Sequence, residues 1–163
     1  MQALAVTKKD MLIKEILPAA FFALAMVAAS MVRVPLFFTP VPVTLQTLVL
    51  FISIIVLRRK AVFAALGFVA FNFAYLAGPT GGYLAGFVVC ALMLGRLNLS
   101  SMAILPRFFL LICGNMIFVY GLGMLWLVLG FKMSFVGALY AGFLPFIAVD
   151  LLKAAMAAAI VKH

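Results

Sequence analysis

No charged side chain occurs between Arg33 and Arg58, between Lys60 and Arg96, or between Arg107 and Lys132. Apolar runs of that length exceed the roughly 20 residues that cross a hydrocarbon core, where every backbone N–H and C=O must be satisfied within the protein. The chain is therefore predicted to be an all-α integral membrane protein. Only 9% of its 163 residues are charged and 69% are hydrophobic, which excludes a soluble domain. A single transmembrane domain over 1–163 is expected, with 1–14 a short interfacial helix or a disordered tail. The net charge of +9 does not point to nucleic acid, because the cations fall between spans instead of clustering on one solvated face. Cys90 and Cys113 lie in apolar segments without metal-ligand spacing and read as small buried residues.

Six spans are predicted. The first runs from Ile16 or Pro18 to Val32, and Ala19, Ala23, Ala25 and Ala29 give it two small-x-x-x-small pairs. Such pairs permit close helix approach, either within this chain or against a partner helix. Pro35, Pro40 and Pro42 forbid a continuous helix over Arg33–Val43 and favour a stiff, extended loop, which must fold over the bundle or line a cavity. Thr44 is the expected N-cap of span 2, Leu45–Leu57, with Gln46 in its first turn serving a ligand or a neighbouring helix. Arg58-Arg59-Lys60 separates it from span 3, Ala61 to about Ala77, which carries Asn72 near its far end.

In Gly78-Pro-Thr-Gly-Gly-Tyr83, Gly78 and Pro79 stop span 3 and Thr80 can cap the next helix. Gly81 and Gly82 leave the start of span 4 bare, so that its unpaired N–H groups can approach a ligand's carboxylate or carbonyl; a tight turn accounts for the same glycines equally well. Span 4 itself is Leu84–Leu94, lengthened by Gly81–Tyr83 and Gly95. Span 5 is placed from about Pro106 to Gly123, with Asn115 making an interhelical hydrogen bond. Met124–Ser134 reads as an interfacial segment, Phe135–Phe143 as a short helix or re-entrant piece, and span 6 as Pro145 to near Val161.

Six spans put both termini on one side. With that side cytoplasmic, Lys8, Lys9, Lys14, Arg58, Arg59, Lys60, Arg96, Arg107 and Lys162 are inner cations and Arg33 and Lys132 are outer ones, nine against two. A multi-pass protein of the cell (inner) membrane is expected. In that orientation the proline-rich loop, Asn72, the glycine turn and the start of span 6 converge on the outer face.

Span 6 holds the most informative pair. Asp150 and Lys153 sit in an otherwise uncharged run, three residues apart and hence on one helix face. Each charge at mid-bilayer costs about 2.5–3.5 kcal/mol on insertion scales, which makes a functional site the default reading and an internal salt bridge the alternative. A carboxylate, an ammonium and aromatic walls suit a small amphipathic molecule with an anionic end and an amide-like end. The only histidine is His163, so a histidine-based triad and an H-E-x-x-H zinc site are excluded, and no Walker motif is present. No enzymatic activity, cofactor or metal is expected.

Three segments, Thr39-Pro-Val-Pro-Val-Thr-Leu-Gln-Thr-Leu48, Gly78-Pro-Thr-Gly-Gly-Tyr-Leu84 and Pro145-Phe-Ile-Ala-Val-Asp-Leu-Leu-Lys-Ala154, resemble the BioY family, the biotin-binding S components of energy-coupling-factor (ECF) transporters. Tyr120-Gly-Leu-Gly-Met-Leu-Trp-Leu127 is similar to that family's fifth-span ending. The resemblance implies capture of biotin at the outer face and passage inward with a transmembrane coupling protein and two ABC-type ATPases. It implies that Asp150, Lys153 and Asn72 share the ureido ring and the carboxylate, that Thr44, Gln46, Gly81, Gly82 and Tyr83 complete the pocket, and that the alanine pairs of span 1 meet the coupling protein. Val149 stands where that family commonly has glycine, and Phe71–Ala77 runs almost directly into the glycine turn where many members have a longer loop. The alternatives are an S component for another small vitamin and a non-transporting structural membrane protein.

Overall fold

The computed structural model describes residues 8–160, so the expectation of an interfacial or disordered tail lies outside the described residues for 1–7. Helix α1 (Lys8–Met31) starts earlier than the predicted span, Lys8–Lys14 winding directly into it. A two-residue strand, β1 (Arg33–Val34), then pairs antiparallel with β2 (Val43–Thr44), Arg33 opposite Thr44. The proline-rich segment between them is the expected non-helical loop, closed at its base by this ribbon.

Helices α2 (Gln46–Leu57), α3 (Ala61–Phe71) and α4 (Gly81–Leu94) follow, joined through 3-10 turns at Arg58–Lys60 and Phe73–Ala77. Next, α5 (Ile104–Gly114), a π-helical stretch (Asn115–Tyr120) and α6 (Gly121–Phe131) make one rod, and α7 (Phe135–Gly142) and α8 (Leu144–Ile160) make another, bent at Phe143. The rods Ile104–Phe131 and Phe135–Ile160 are long and apolar enough to cross a bilayer by length and composition, while Ile16–Met31 and Gly81–Leu94 are shorter apolar helices.

Packing corrects one sequence expectation and supplies contacts within the chain for a residue pattern that had two readings. The helix expected to end near Gly123 continues to Phe131, because its glycines are contact points, not stops: a Cβ on Gly123 would fall 2.4 Å from the Tyr83 ring. Termination comes instead at Lys132, held in the left-handed region at φ 55. The alanine pairs of α1 are used within the chain. Ala19 and Ala29 are buried, Ala25 is half-buried, and Ala23 faces Gly67 of α3, where an added Cβ would lie 3.0 Å from its own. The outward side of α1 carries Leu17, Phe21 and Leu24 instead. Cys113 is likewise exposed, whereas Cys90 is buried as expected.

The bundle has two chemically different ends. Helix α2 leaves the ribbon at one end and finishes at Arg58, whose backbone carbonyl packs against Gly95. Arg107, only 1% exposed, lies at this same end. It donates from Nε to the Leu99 carbonyl, from Nη1 to that of Ala158, and from Nη2 to those of Ser100 and Met102. A guanidinium thereby serves the Ala158 carbonyl near the end of α8 and carbonyls around the Leu99–Ser101 turn, among which that of Leu99 also accepts from the Met102 N–H at 3.2 Å. The ribbon and the glycine turn close the other end.

Pro145 fixes the bend between α7 and α8. Lacking an N–H, it cannot bond the Ala141 carbonyl four residues back. Thr39 of the proline-rich loop donates its hydroxyl to that carbonyl, and Tyr83 donates to the neighbouring Gly142 carbonyl at 2.8 Å. The break therefore serves as an attachment point for the loop and for α4.

Close approach of α4 to the 104–131 rod requires glycine at two positions one turn apart. A Cβ on Gly82 would fall 2.3 Å from Trp126 Cβ, and one on Gly86 would fall 2.6 Å from Val119 Cα. Because the obstacle at Gly86 is backbone, Gly86→Ala is expected to lower stability by about 1–3 kcal/mol. Gly121→Ala, whose nearest new contact is an ordinary 3.9 Å, should be nearly silent. Thermal unfolding of both variants in detergent checks the contrast.

Candidate ligand-binding site

A hollow of about 630 Å³ opens at the ribbon end of the bundle, a volume in the range of small-molecule sites. Its rim combines the ribbon and proline-rich loop with Asn72 and the Gly78–Thr80 turn. Deeper walls are aromatic, from Phe68 on α3, Tyr83 and Phe87 on α4, Tyr120 on the π-helical stretch and Phe146 on α8. Phe143 and Phe146 brace the Tyr120 ring, with centroids 5.0 and 6.5 Å away.

Asp150 and Lys153 lie at the floor, 2% and 5% exposed, and form an ion pair of 2.6 Å. The carboxylate is fully engaged. Its Oδ1 accepts from Thr47 Oγ1 at 2.8 Å and from Lys153 Nζ at 2.6 Å, and its Oδ2 accepts from Asn115 Nδ2 at 2.9 Å and from the Tyr120 hydroxyl at 2.7 Å. That fills the roughly four lone-pair sites of an ionised carboxyl. Lys153 also donates to Thr47 Oγ1 at 2.9 Å, leaving one of its ammonium protons for another acceptor. The pair joins α2, the π-helical stretch and α8, and it also borders a ligand-sized space.

The π-helical winding explains how Asn115 and Tyr120 reach one oxygen. Residues five apart on an α-helix point about 140° away from each other, whereas i→i+5 winding brings them back toward one side. Asn115 is the interhelical hydrogen bond expected from sequence, and its Oδ1 is buried without a hydrogen-bond partner. Thr47 and Tyr120 were not singled out by their chemistry. Thr47 carried the one available signal, a hydroxyl one residue beyond Gln46 on a helix that buries it.

The remaining predicted residues divide. Asn72 borders the hollow at the end of α3, its Nδ2 donating to the Phe68 carbonyl at 3.0 Å. Thr44 and Gln46 also border it. Helix α2 starts one residue later than expected and Leu45 occupies the cap position, yet Thr44 Oγ1 still accepts from the Gln46 N–H at 3.4 Å and donates to its Oε1 at 3.0 Å. Tyr83 lines the wall. Gly81 and Gly82 do not: they are buried against Leu76, Leu122 and Trp126, and their bareness serves helix packing. Trp126 Nε1 completes that contact by donating to the Gly78 carbonyl at 3.0 Å.

Removing one charge from the floor should cost far more than removing both. Lys153→Met leaves a buried carboxylate uncompensated and is expected to destabilise by about 3 kcal/mol or more. Adding Asp150→Asn, which keeps acceptor and shape without charge, should recover at least half of that loss in a double-mutant cycle measured by unfolding in detergent.

The BioY family profile matches residues 2–163. The biotin transporter BioY of Thermotoga maritima is 33% identical over 162 residues, covering 90% of this chain and 93% of that protein. The biotin transporter BioY2 of Lactococcus lactis subsp. cremoris is 33% identical over 129 residues, 70% of each. Among solved structures, the S-component for biotin from an ECF-type ABC transporter superimposes with a TM-score of 0.83 at 20% identity, covering 95% of this chain and 92% of that one, a likeness of fold.

Proposed function

The chain belongs to the BioY family, and from that premise we propose that it is the substrate-capture subunit of an ECF-type importer that binds biotin in the hollow above Asp150 and Lys153. In this reading the chain crosses the cell membrane six times with both termini cytoplasmic. The hollow then opens outward and the Arg58-Arg59-Lys60 and Arg107 end faces in, as the charge bias of the loops favours. Transport inward uses a transmembrane coupling protein and two ABC-type ATPases, since the sequence carries no nucleotide motif of its own. The chain has no enzymatic role.

One observation carries the reading: a buried, hydrogen-bonded charge pair borders a vitamin-sized hollow at the end of the bundle away from the cation cluster. Charges inside a span are costly, and ligand contact is what makes that cost useful. Asn72, Thr44, Gln46 and Tyr83 are proposed as further contacts on the wall and rim, with Thr47 and Tyr120 positioning Asp150. The four donors on Asp150 also favour a second reading, in which the pair only joins helices.

Titrating purified protein with biotin in detergent decides between them. Wild type should bind, and Asp150→Asn/Lys153→Met, folded but uncharged at the floor, should bind at least tenfold more weakly, about 1.4 kcal/mol. Undiminished binding by the double variant leaves the pair a structural role, and no binding by folded wild type removes biotin as the ligand.

A further inference from the structure

At the end of the bundle away from the hollow, one residue stands in a backbone conformation that its side chain disfavours. Arg58 follows α2 at φ 54 and ψ −127, the geometry of the first central position of a type II′ turn, where glycine is the usual occupant. A Cβ at positive φ is strained, and such strain persists only where the surrounding structure enforces it. Here it is enforced. The Arg58 N–H bonds the Ile54 carbonyl, its own carbonyl accepts from the Ala61 N–H, and that carbonyl lies so close to α4 that a Cβ on Gly95 would fall 2.6 Å from its oxygen. Glycine would meet the demands of this turn without strain, so what arginine adds is its side chain. The charge bias of the loops does not require it, because a cation at any unstrained position of the same end serves that bias equally.

Packing of the turn on Gly95 brings a further arginine to the same corner, since Arg96 is the next residue. Arg58, Arg59 and Arg96 are all exposed. Among the described residues none of the three forms an ion pair; Arg96 reaches Met93 Sδ at 3.9 Å, and Arg58 and Arg59 make no side-chain hydrogen bond. Exposed apolar side chains flank them: Val56 in the last turn of α2, Leu92 in the last turn of α4, and Leu97 beside Arg96. A guanidinium matches two oxygens of a phosphate group at once. Free phosphate offers the same oxygens, but only a lipid phosphodiester also brings hydrocarbon to the apolar surface beside the arginines.

We propose that Arg58, Arg59 and Arg96 form a headgroup site for an anionic phospholipid, whose tails lie along the exposed apolar sides of α2 and α4. The site is separate from the hollow. It depends neither on biotin binding nor on which way the chain faces, only on the helices spanning a bilayer.

The test titrates purified protein in uncharged detergent with phosphatidylglycerol, phosphatidylcholine or inorganic phosphate, read by thermal unfolding and by native mass spectrometry. Wild type should bind phosphatidylglycerol about tenfold or more tightly than phosphatidylcholine, and inorganic phosphate should not shift unfolding. Each arginine removed should weaken phosphatidylglycerol binding roughly fivefold, the contribution of one basic residue at an anionic membrane surface. Arg58→Gln/Arg59→Gln/Arg96→Gln should therefore lose the preference, whereas Lys132→Gln, which removes a cation at the hollow end, should keep it. Arg58→Gly separates strain from charge: without lipid it should unfold at the wild-type temperature or above, and yet bind phosphatidylglycerol roughly fivefold more weakly. Equal binding of the two lipids by wild type, a preference undiminished in Arg58→Gly and the triple variant, one lost as fully in Lys132→Gln, or a shift by phosphate alone that matches the lipid's would each overturn the proposal.

Discussion

A single carboxylate, Asp150, joins three parts of the bundle through four hydrogen bonds, to Thr47 on α2, to Asn115 and Tyr120 on the π-helical stretch, and to its neighbour Lys153 on α8. In hydrocarbon there is little hydrophobic pressure to bring helices together, so polar contacts and close packing fix their register. The donors come from three separate elements, and Thr47, Asn115 and Tyr120 would each lose the acceptor named for them without the carboxylate. Rotation of α8 would break bonds to both other elements, and rotation of either of those would break its bonds to α8. The position of α8 sets where the hollow ends, and the same charges that fix it give the floor its polarity.

Around that centre, the chain repeatedly turns a local defect into a joint. Pro145 cannot bond Ala141, and the freed carbonyls at Ala141 and Gly142 receive Thr39 and Tyr83. Helix α8 ends at the opposite side of the bundle with a carbonyl at Ala158 that Arg107 takes. Gly82 and Gly86 let α4 lie almost backbone to backbone on the 104–131 rod. These contacts are polar or shape-dependent, as expected where lipid removes the usual advantage of burying apolar surface.

Much of this was legible in the sequence. Charge-free runs announced helices in a membrane, the three prolines announced a non-helical loop, and an isolated Asp150 and Lys153 marked the floor. What escaped was phase and partnership. The π-helical turn that lets Asn115 and Tyr120 meet one oxygen has no marker in the residue pattern, because an α-helical wheel separates them. Gly81 and Gly82 carry the same letters whether they bare a helix start or admit a neighbouring rod, and only the location of Trp126 decides. The alanines of α1 were equally silent about which surface they would meet until Gly67 was seen opposite Ala23. Arg107 looked like an ordinary topogenic cation, yet it is 1% exposed and bonded to four backbone carbonyls.

The proline-rich rim has a further consequence for how a guest is retained. Pro35, Pro40 and Pro42 restrict the backbone even in the unfolded chain, and the Arg33–Thr44 pairing tethers both ends of the loop. Such a segment has little conformational entropy left to lose when a molecule settles beneath it, so its preorganisation favours slow release over fast rearrangement. Selectivity at the doorway then becomes a matter of fixed shape, written into covalent rings instead of being moulded on arrival.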